Sequence, residues 1–164
     1  MARSLYMCHD VPRRDVEMRR VDANRVAARR EIPLMPKEKV PTPVVLVVDD
    51  EVLIRWSLSE GLSDSGFVVR VAATGAEART VLASFAGEPL VIVLDLRLPD
   101  VADLSLLREL RSVRPDVPII MMTAHGSAED AQRARELGVF KFINKPFDVS
   151  EVVALVEAAW AQVT

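Results

Sequence analysis

The sequence predicts an α/β fold: a five-stranded parallel sheet, doubly wound in (βα)5 order over residues 44–164, behind a basic N-terminal arm of residues 1–43. Three observations carry that expectation. Short, wholly apolar runs rich in Val and Ile recur at residues 44–48, 91–94 and 119–122, the mark of strands buried on both faces. Stretches of helical length lie between them, closed by Gly66, by Gly138 or by the Arg114-Pro115 step. Strand-then-helix units with short connections imply parallel pairing, right-handed crossovers and helices on both faces of one sheet.

Each element has its own signal. Val44-Val45-Leu46-Val47-Val48 is the first strand and runs into Asp49-Asp50-Glu51. A helix follows over residues 51–65, with Leu53, Ile54, Leu58 and Leu62 on one side and Gly66 at its end. Residues 67–71 form the second strand. Thr74 caps a helix running to about residue 85, and Thr74-Gly75-Ala76-Glu77 reads as a capping box with its acid at the third helical position. Gly87 and Pro89 break the chain before Val91-Ile92-Val93-Leu94-Asp95, a strand that ends on a carboxylate. Asp103 or Ser105 starts a helix through Leu104, Leu107 and Leu110. The fourth strand, 119–122, ends at Thr123. Ser127 begins a helix to Leu137, and residues 140–143 form a fifth strand ending at Asn144-Lys145-Pro146. Asp148 or Ser150 caps the last helix, whose apolar face is Val152, Leu155, Val156, Ala159 and Trp160.

Composition narrows the class. Half of the 164 residues are hydrophobic, enough for a proper core. The single Cys8 excludes an intrachain disulfide and fits a reducing compartment. Cys8-His9 falls short of the roughly four ligands of a zinc site. The chain shows neither a signal-peptide pattern nor a run near the ~20 apolar residues of a membrane span, so a cytoplasmic protein without membrane contact is expected. Residues 1–43 hold ten Lys/Arg against six Asp/Glu and end in Pro33, Pro36, Pro41 and Pro43. The rest holds eleven against eighteen. A basic arm suggests nucleic acid, but no aromatic residues interleave its arginines, and a disordered tail is the expected state.

The strand ends carry the chemistry. Asp49-Asp50 follows strand one, Asp95 ends strand three, Thr123 follows strand four and Lys145 follows strand five. In an open parallel sheet all of these meet at the carboxyl edge, where ligands bind. Carboxylates crowded there repel and raise one another's pKa. Lys145 offsets one charge. A hard divalent cation with oxygen-only ligation offsets the rest, and that donor set suits Mg²⁺. There is no glycine-rich phosphate loop for a nucleotide or flavin. Taken singly, each residue has a plainer reading: Asp50 as a helix N-cap, Thr123 as a strand-end hydroxyl, Lys145 as a surface lysine, Phe142 as core and His125 as a loop residue.

Together these features resemble the receiver domain of response regulators, the phosphorylated half of a two-component system. The resemblance covers residues 44–164. It rests on Val-Asp-Asp-Glu at 48–51, Leu-Asp-Leu-Arg-Leu-Pro-Asp at 94–100, Met-Thr-Ala at 122–124, Phe142, and Lys145-Pro146-Phe147 in that order. Ile-Ile-Met-Met-Thr-Ala is most similar to receivers of nitrogen-regulator type. The resemblance implies a flavodoxin-like receiver fold and a role for each position. Asp95 is the expected phosphoacceptor, attacking a phosphohistidine on a sensor histidine kinase or phosphotransfer protein. Asp49, Asp50, Asp95 and the Arg97 backbone carbonyl are the expected Mg²⁺ ligands. In the family the second acid usually ligates directly and the first often through water. Lys145 and Thr123 contact phosphoryl oxygens, and Phe142 moves inward to repack the face of helix four, strand five and helix five. That face binds the downstream protein target. The Lys145-Pro146 bond is expected to be cis. Arg97 and His125, two residues past Asp95 and Thr123, flank the path of attacking water and tune the phosphoryl lifetime.

One departure stands out. The family usually has glycine eight residues past the acceptor, and here that place holds Asp103. Asp tolerates the left-handed region better than most residues, so an altered loop with an intact site is expected. The sequence points to a stand-alone receiver that is not an enzyme beyond its own phosphorylation and dephosphorylation. Two alternatives stay open: a receiver fragment of a larger transcriptional regulator, and a regulator whose basic arm binds nucleic acid. A magnesium-dependent phosphohydrolase is disfavoured, because such enzymes need an acid two residues past the nucleophile, where Arg97 stands.

Overall fold

A computed structural model describes residues 42–85, 88, 90–124 and 126–163. The expectations for the basic arm up to residue 41 and for His125 lie outside these residues. The elements run β1 (Val44–Val48), α1 (Val52–Asp64), β2 (Val68–Ala72), α2 (Gly75–Ala83), β3 (Val91–Asp95), α3 (Ser105–Val113), β4 (Ile119–Thr123), α4 (Ala128–Glu136), β5 (Lys141–Asn144) and α5 (Val149–Trp160). The strands form one parallel sheet in the order β2-β1-β3-β4-β5. No described helix is long and apolar enough to cross a membrane.

Strand alternation sorts the core into two layers. Val45, Val47, Val91, Val93, Ile120 and Met122 face Leu58 and Leu62 of α1 and Val152, Val156 and Ala159 of α5. Leu46, Leu94, Ile119 and Met121 face Ala78 of α2, Leu107 and Leu110 of α3 and Ala134 of α4. All five residues of β1, β3 and β4 are buried, which is why those runs read so plainly in the sequence. The edge strands β2 and β5 are mixed in burial and sit one residue later than their apolar residues suggest.

Local chemistry sets the helix ends. Thr74 Oγ accepts the Glu77 N–H at 3.1 Å. Glu77 reaches back to the Ala73 N–H at 2.7 Å, one residue short of a reciprocal box. Ser127 and Asp130 form a full capping box on α4. Gly66 and Gly138 close α1 and α4 with φ of 88° and 74°, the left-handed turn that glycine takes without penalty. Asp103 also adopts a positive φ, 45°, so an aspartate fills a place where the chain needs that conformation. Turned this way, Asp103 does not cap α3. Leu104 holds the N-cap position and no side-chain cap bond forms. Asp148 precedes α5, likewise without a side-chain bond.

Leu53 departs from expectation. It is 78% exposed, together with Val52 and Trp56, because it lies about 100° around the helix from Ile54 and outside the stripe through Leu58 and Leu62. Trp160 is half-buried and meets Phe67 edge-on at 6.5 Å. At the end of the sheet away from the carboxyl edge, Arg111 of α3 spans several segments. Its Nε donates to the Leu137 carbonyl at 3.0 Å, Nη2 to Gly138 at 2.6 Å, and Nη1 to Val117 at 2.5 Å.

Candidate functional site

Parallel register brings four strand ends to one edge. Asp95 pairs with Met122, and Thr123 with Asn144. Beyond the strands, the Asp49 N–H donates to Ala72 and the Lys145 N–H to Thr123. Asp49, Asp95 and Thr123 are the buried polar residues of the described chain. The Lys145–Pro146 peptide is cis.

Lys145 is the hub. Its ammonium lies 2.6 Å from Asp95 Oδ2, 2.8 Å from Asp49 Oδ2 and 2.9 Å from Glu51 Oε1. The other oxygen of each aspartate is fixed by backbone: Asp95 Oδ1 accepts the Arg97 N–H and Asp49 Oδ1 the Glu51 N–H, both at 2.9 Å. Burial works to lower the Lys145 pKa, but the carboxylates of Asp49, Asp95 and Glu51 gathered around it outweigh that and hold the ammonium well above its ordinary value. For Asp49 the balance is reversed. Burial raises its carboxyl above the usual 3.8 despite the Lys145 contact and the Glu51 N–H.

Three carboxylates gather around one ammonium. Atoms of Asp49, Glu51 and Asp95 lie within 4.8 Å of one another. Like charges about 4 Å apart repel by about 4 kcal/mol at an effective dielectric near 20. One lysine therefore leaves two negative charges in excess, which a divalent cation balances. The structure fits such an ion on a second count. Asp49 Oδ2 is buried, and although Lys145 is close enough for an ion pair, its angle leaves that oxygen without a hydrogen bond. An oxygen-only donor set, with one buried carboxylate oxygen lacking a hydrogen bond, suits a hard cation.

Not every expected residue joins the group. Asp50, expected among the metal ligands, is exposed and lies outside it. The third carboxylate around Lys145 is Glu51, brought there because the Asp49 side chain takes the Glu51 N–H and the Glu51 carboxylate extends to the ammonium. Sequence reasoning passed over Glu51; its signal was a third consecutive acid after β1. The Arg97 side chain is exposed and borders a cavity of about 130 Å³ with Leu96, Leu98, Val101, Asp103 and Asp130. Phe142 is half-buried opposite Met121. Gly126 links it to Thr123: a Cβ there would stand 2.6 Å from Thr123 Cγ2 and 2.8 Å from Phe142 Cζ.

The loop after Asp95 is tied sideways. Asp100 accepts the Gly75 N–H at 2.8 Å and the Ala76 N–H at 2.9 Å, occupying two free donors at the start of α2. These backbone bonds hold its carboxyl below the ordinary range.

Comparison with known proteins agrees with this geometry. The family model described as the response regulator receiver domain matches residues 45–157. The DNA-binding transcriptional regulator NtrC of Escherichia coli K12 is 40% identical over 116 residues, covering 71% of this chain and 24% of the relative. The chain thus spans about a quarter of that relative's length. Among solved structures, the receiver domain of NtrX from Brucella abortus superposes with a TM-score of 0.65 at 34% identity, covering 71% of this chain and 98% of that one. The non-phosphorylated HemR receiver domain of Leptospira biflexa gives 0.67 at 30% identity, covering 73% and 95%.

Proposed function

This chain belongs to the response regulator receiver family, and we propose that within it Asp95 is the residue that takes the phosphoryl group. The domain is a phosphoacceptor of two-component signalling. The observation that carries the assignment is the buried Asp95 carboxylate at the end of β3, held by Lys145 Nζ at 2.6 Å and by the Arg97 N–H at 2.9 Å. In our reading one carboxylate oxygen attacks phosphorus. The new O–P bond replaces the P–N bond of a phosphohistidine, and the imidazole leaves with the bond's electrons. Lys145 meets a phosphoryl oxygen and Thr123 another.

Asp49, Asp50, Asp95 and the Arg97 carbonyl would hold Mg²⁺, Asp50 directly and Asp49 through water. When bound, the ion offsets charge on the transferring group. Phe142 follows Thr123 inward, and the face of α4, β5 and α5 changes for a protein target. Arg97 and His125 tune how long the phosphoryl group survives; exchanging both shifts the dephosphorylation rate, and an unchanged rate would refute that role. Exposed Val52, Leu53 and Trp56 beside the site support a protein as phosphoryl donor, a histidine kinase or phosphotransfer protein. We assign residues 44–164 to the receiver and 1–43 to an extension. We place the chain in the cytoplasm, catalysing only its own phosphorylation and dephosphorylation.

Intact-mass spectrometry after incubation with acetyl phosphate tests the assignment. We expect a gain of one phosphoryl group with Mg²⁺, lost with EDTA and in Asp95→Asn. A gain that persists in Asp95→Asn would move the acceptor elsewhere.

A further inference from the structure

We propose that Glu51 is a resting-state occupant of Lys145, which the incoming phosphoryl oxygen must displace. The inference rests on the reading that Lys145 meets the phosphoryl group. A lysine ammonium has three donors. Here three carboxylates surround it, from Asp49, Glu51 and Asp95, all within 2.9 Å. Asp95 and Glu51 accept hydrogen bonds from it and Asp49 closes the third side as an ion pair, so an incoming phosphoryl oxygen takes the place of one of them.

The three are not equally free to go. Asp49 and Asp95 sit at strand ends, 0% and 6% exposed, each with its second oxygen held by a backbone N–H. The Glu51 side chain is 57% exposed. Among the described residues, Lys145 is the partner of its carboxylate in both hydrogen bond and ion pair. Water can take that carboxylate, because the Glu51 end of the pair is already exposed. The aspartates have no such exit.

Glu51 is also not serving its helix. It holds the N-cap position of α1, yet makes no side-chain cap bond there. The Asp49 side chain accepts its N–H instead, and its carboxylate extends to Lys145, 94 residues along the chain. A residue of this kind stands in for the phosphoryl oxygens while the site rests, and slows their arrival.

The test uses the full chain, with Glu51→Gln and Glu51→Ala beside wild type. Beryllofluoride serves as the phosphoryl mimic at saturating Mg²⁺, titrated by tryptophan fluorescence, and the Mg²⁺ half-saturation is measured separately. Acetyl phosphate uptake is followed by intact mass. We expect both variants to bind beryllofluoride and take up the phosphoryl group about threefold more readily, the scale of one exposed ion pair, with Mg²⁺ half-saturation unchanged. Weaker Mg²⁺ binding with slower uptake would make Glu51 a metal ligand and overturn the proposal. Unchanged affinity and rate would overturn it as well, making Glu51 a bystander. If wild type itself takes up neither probe, the reading of the site fails and the proposal falls with it.

Discussion

At Asp49 the sign of the electrostatics is set by burial. A carboxyl whose folded pKa is raised binds its proton more tightly when folded. Its charge therefore costs nothing below the unfolded value of 3.8, and the cost grows as pH rises through the raised folded value. At neutral pH without Mg²⁺, Asp49→Asn is expected to stabilise the fold while weakening Mg²⁺ binding. Urea unfolding in EDTA and in Mg²⁺ measures both, and a variant less stable in EDTA would contradict the argument. Gly126 works by space rather than charge. A methyl group there meets Thr123 and Phe142 inside 3 Å, so Gly126→Ala is expected to cost about 1–3 kcal/mol by overpacking, read as a lower urea midpoint. Asp95, Asp49 and Lys145 were legible because each ends or follows a strand. Glu51, Asp100 and Gly126 were not, because their significance lies in contacts that sequence spacing does not display.

At the scale of elements, the start of α2 is completed from outside. Thr74 caps one donor, and Asp100, a residue of the β3–α3 loop, caps two more. The Asp100 pKa is lowered by the Gly75 and Ala76 N–H groups. Its contribution is thus present above 3.8 and lost as pH falls through the lowered folded value. Asp130 does the same for α4, where the Ser127 backbone and side chain lower its pKa. Protection factors at the Gly75 and Ala76 amides are expected to fall on such acidification, and in Asp100→Ala at neutral pH. Equal protection in variant and wild type would show the tie to be idle. The helices were readable in kind, but their exact faces were not. Leu53 belongs to an apolar residue type and still faces water, because the stripe of α1 is narrow and runs through Ile54, Leu58 and Leu62. The three central strands were readable nearly to the residue, since strands buried on both faces leave no polar position to blur their ends.

For the whole molecule, one sheet serves two packed layers, so a defect on either side loosens strands that both share. Leu58 of α1 and Leu107 of α3 are almost wholly buried in opposite layers. Truncating either to Ala is expected to cost about 2–5 kcal/mol, measured by urea unfolding. Because the layers share β1, β3 and β4, we expect one cooperative transition for each variant rather than a partial loss. The parallel topology was legible from alternation of strand and helix. It also placed the site, since chain direction alone puts Asp49, Asp95, Thr123 and Lys145 on one edge.

The Arg111 guanidinium has a mechanical consequence. By gripping the carbonyls of Leu137 and Gly138, it fixes the C-terminal end of α4 to α3 and to the entry of β4. The opposite end of α4 begins at Ser127, next to Gly126 and within one turn of Thr123, and Ala134 is the only residue of the helix fully in the core. α4 is therefore tethered at its Arg111 end, with its buried residue Ala134 close to that tether and no fully buried residue on the way to the site. A displacement at Thr123 is expected to tilt the helix about that end rather than slide it along the sheet.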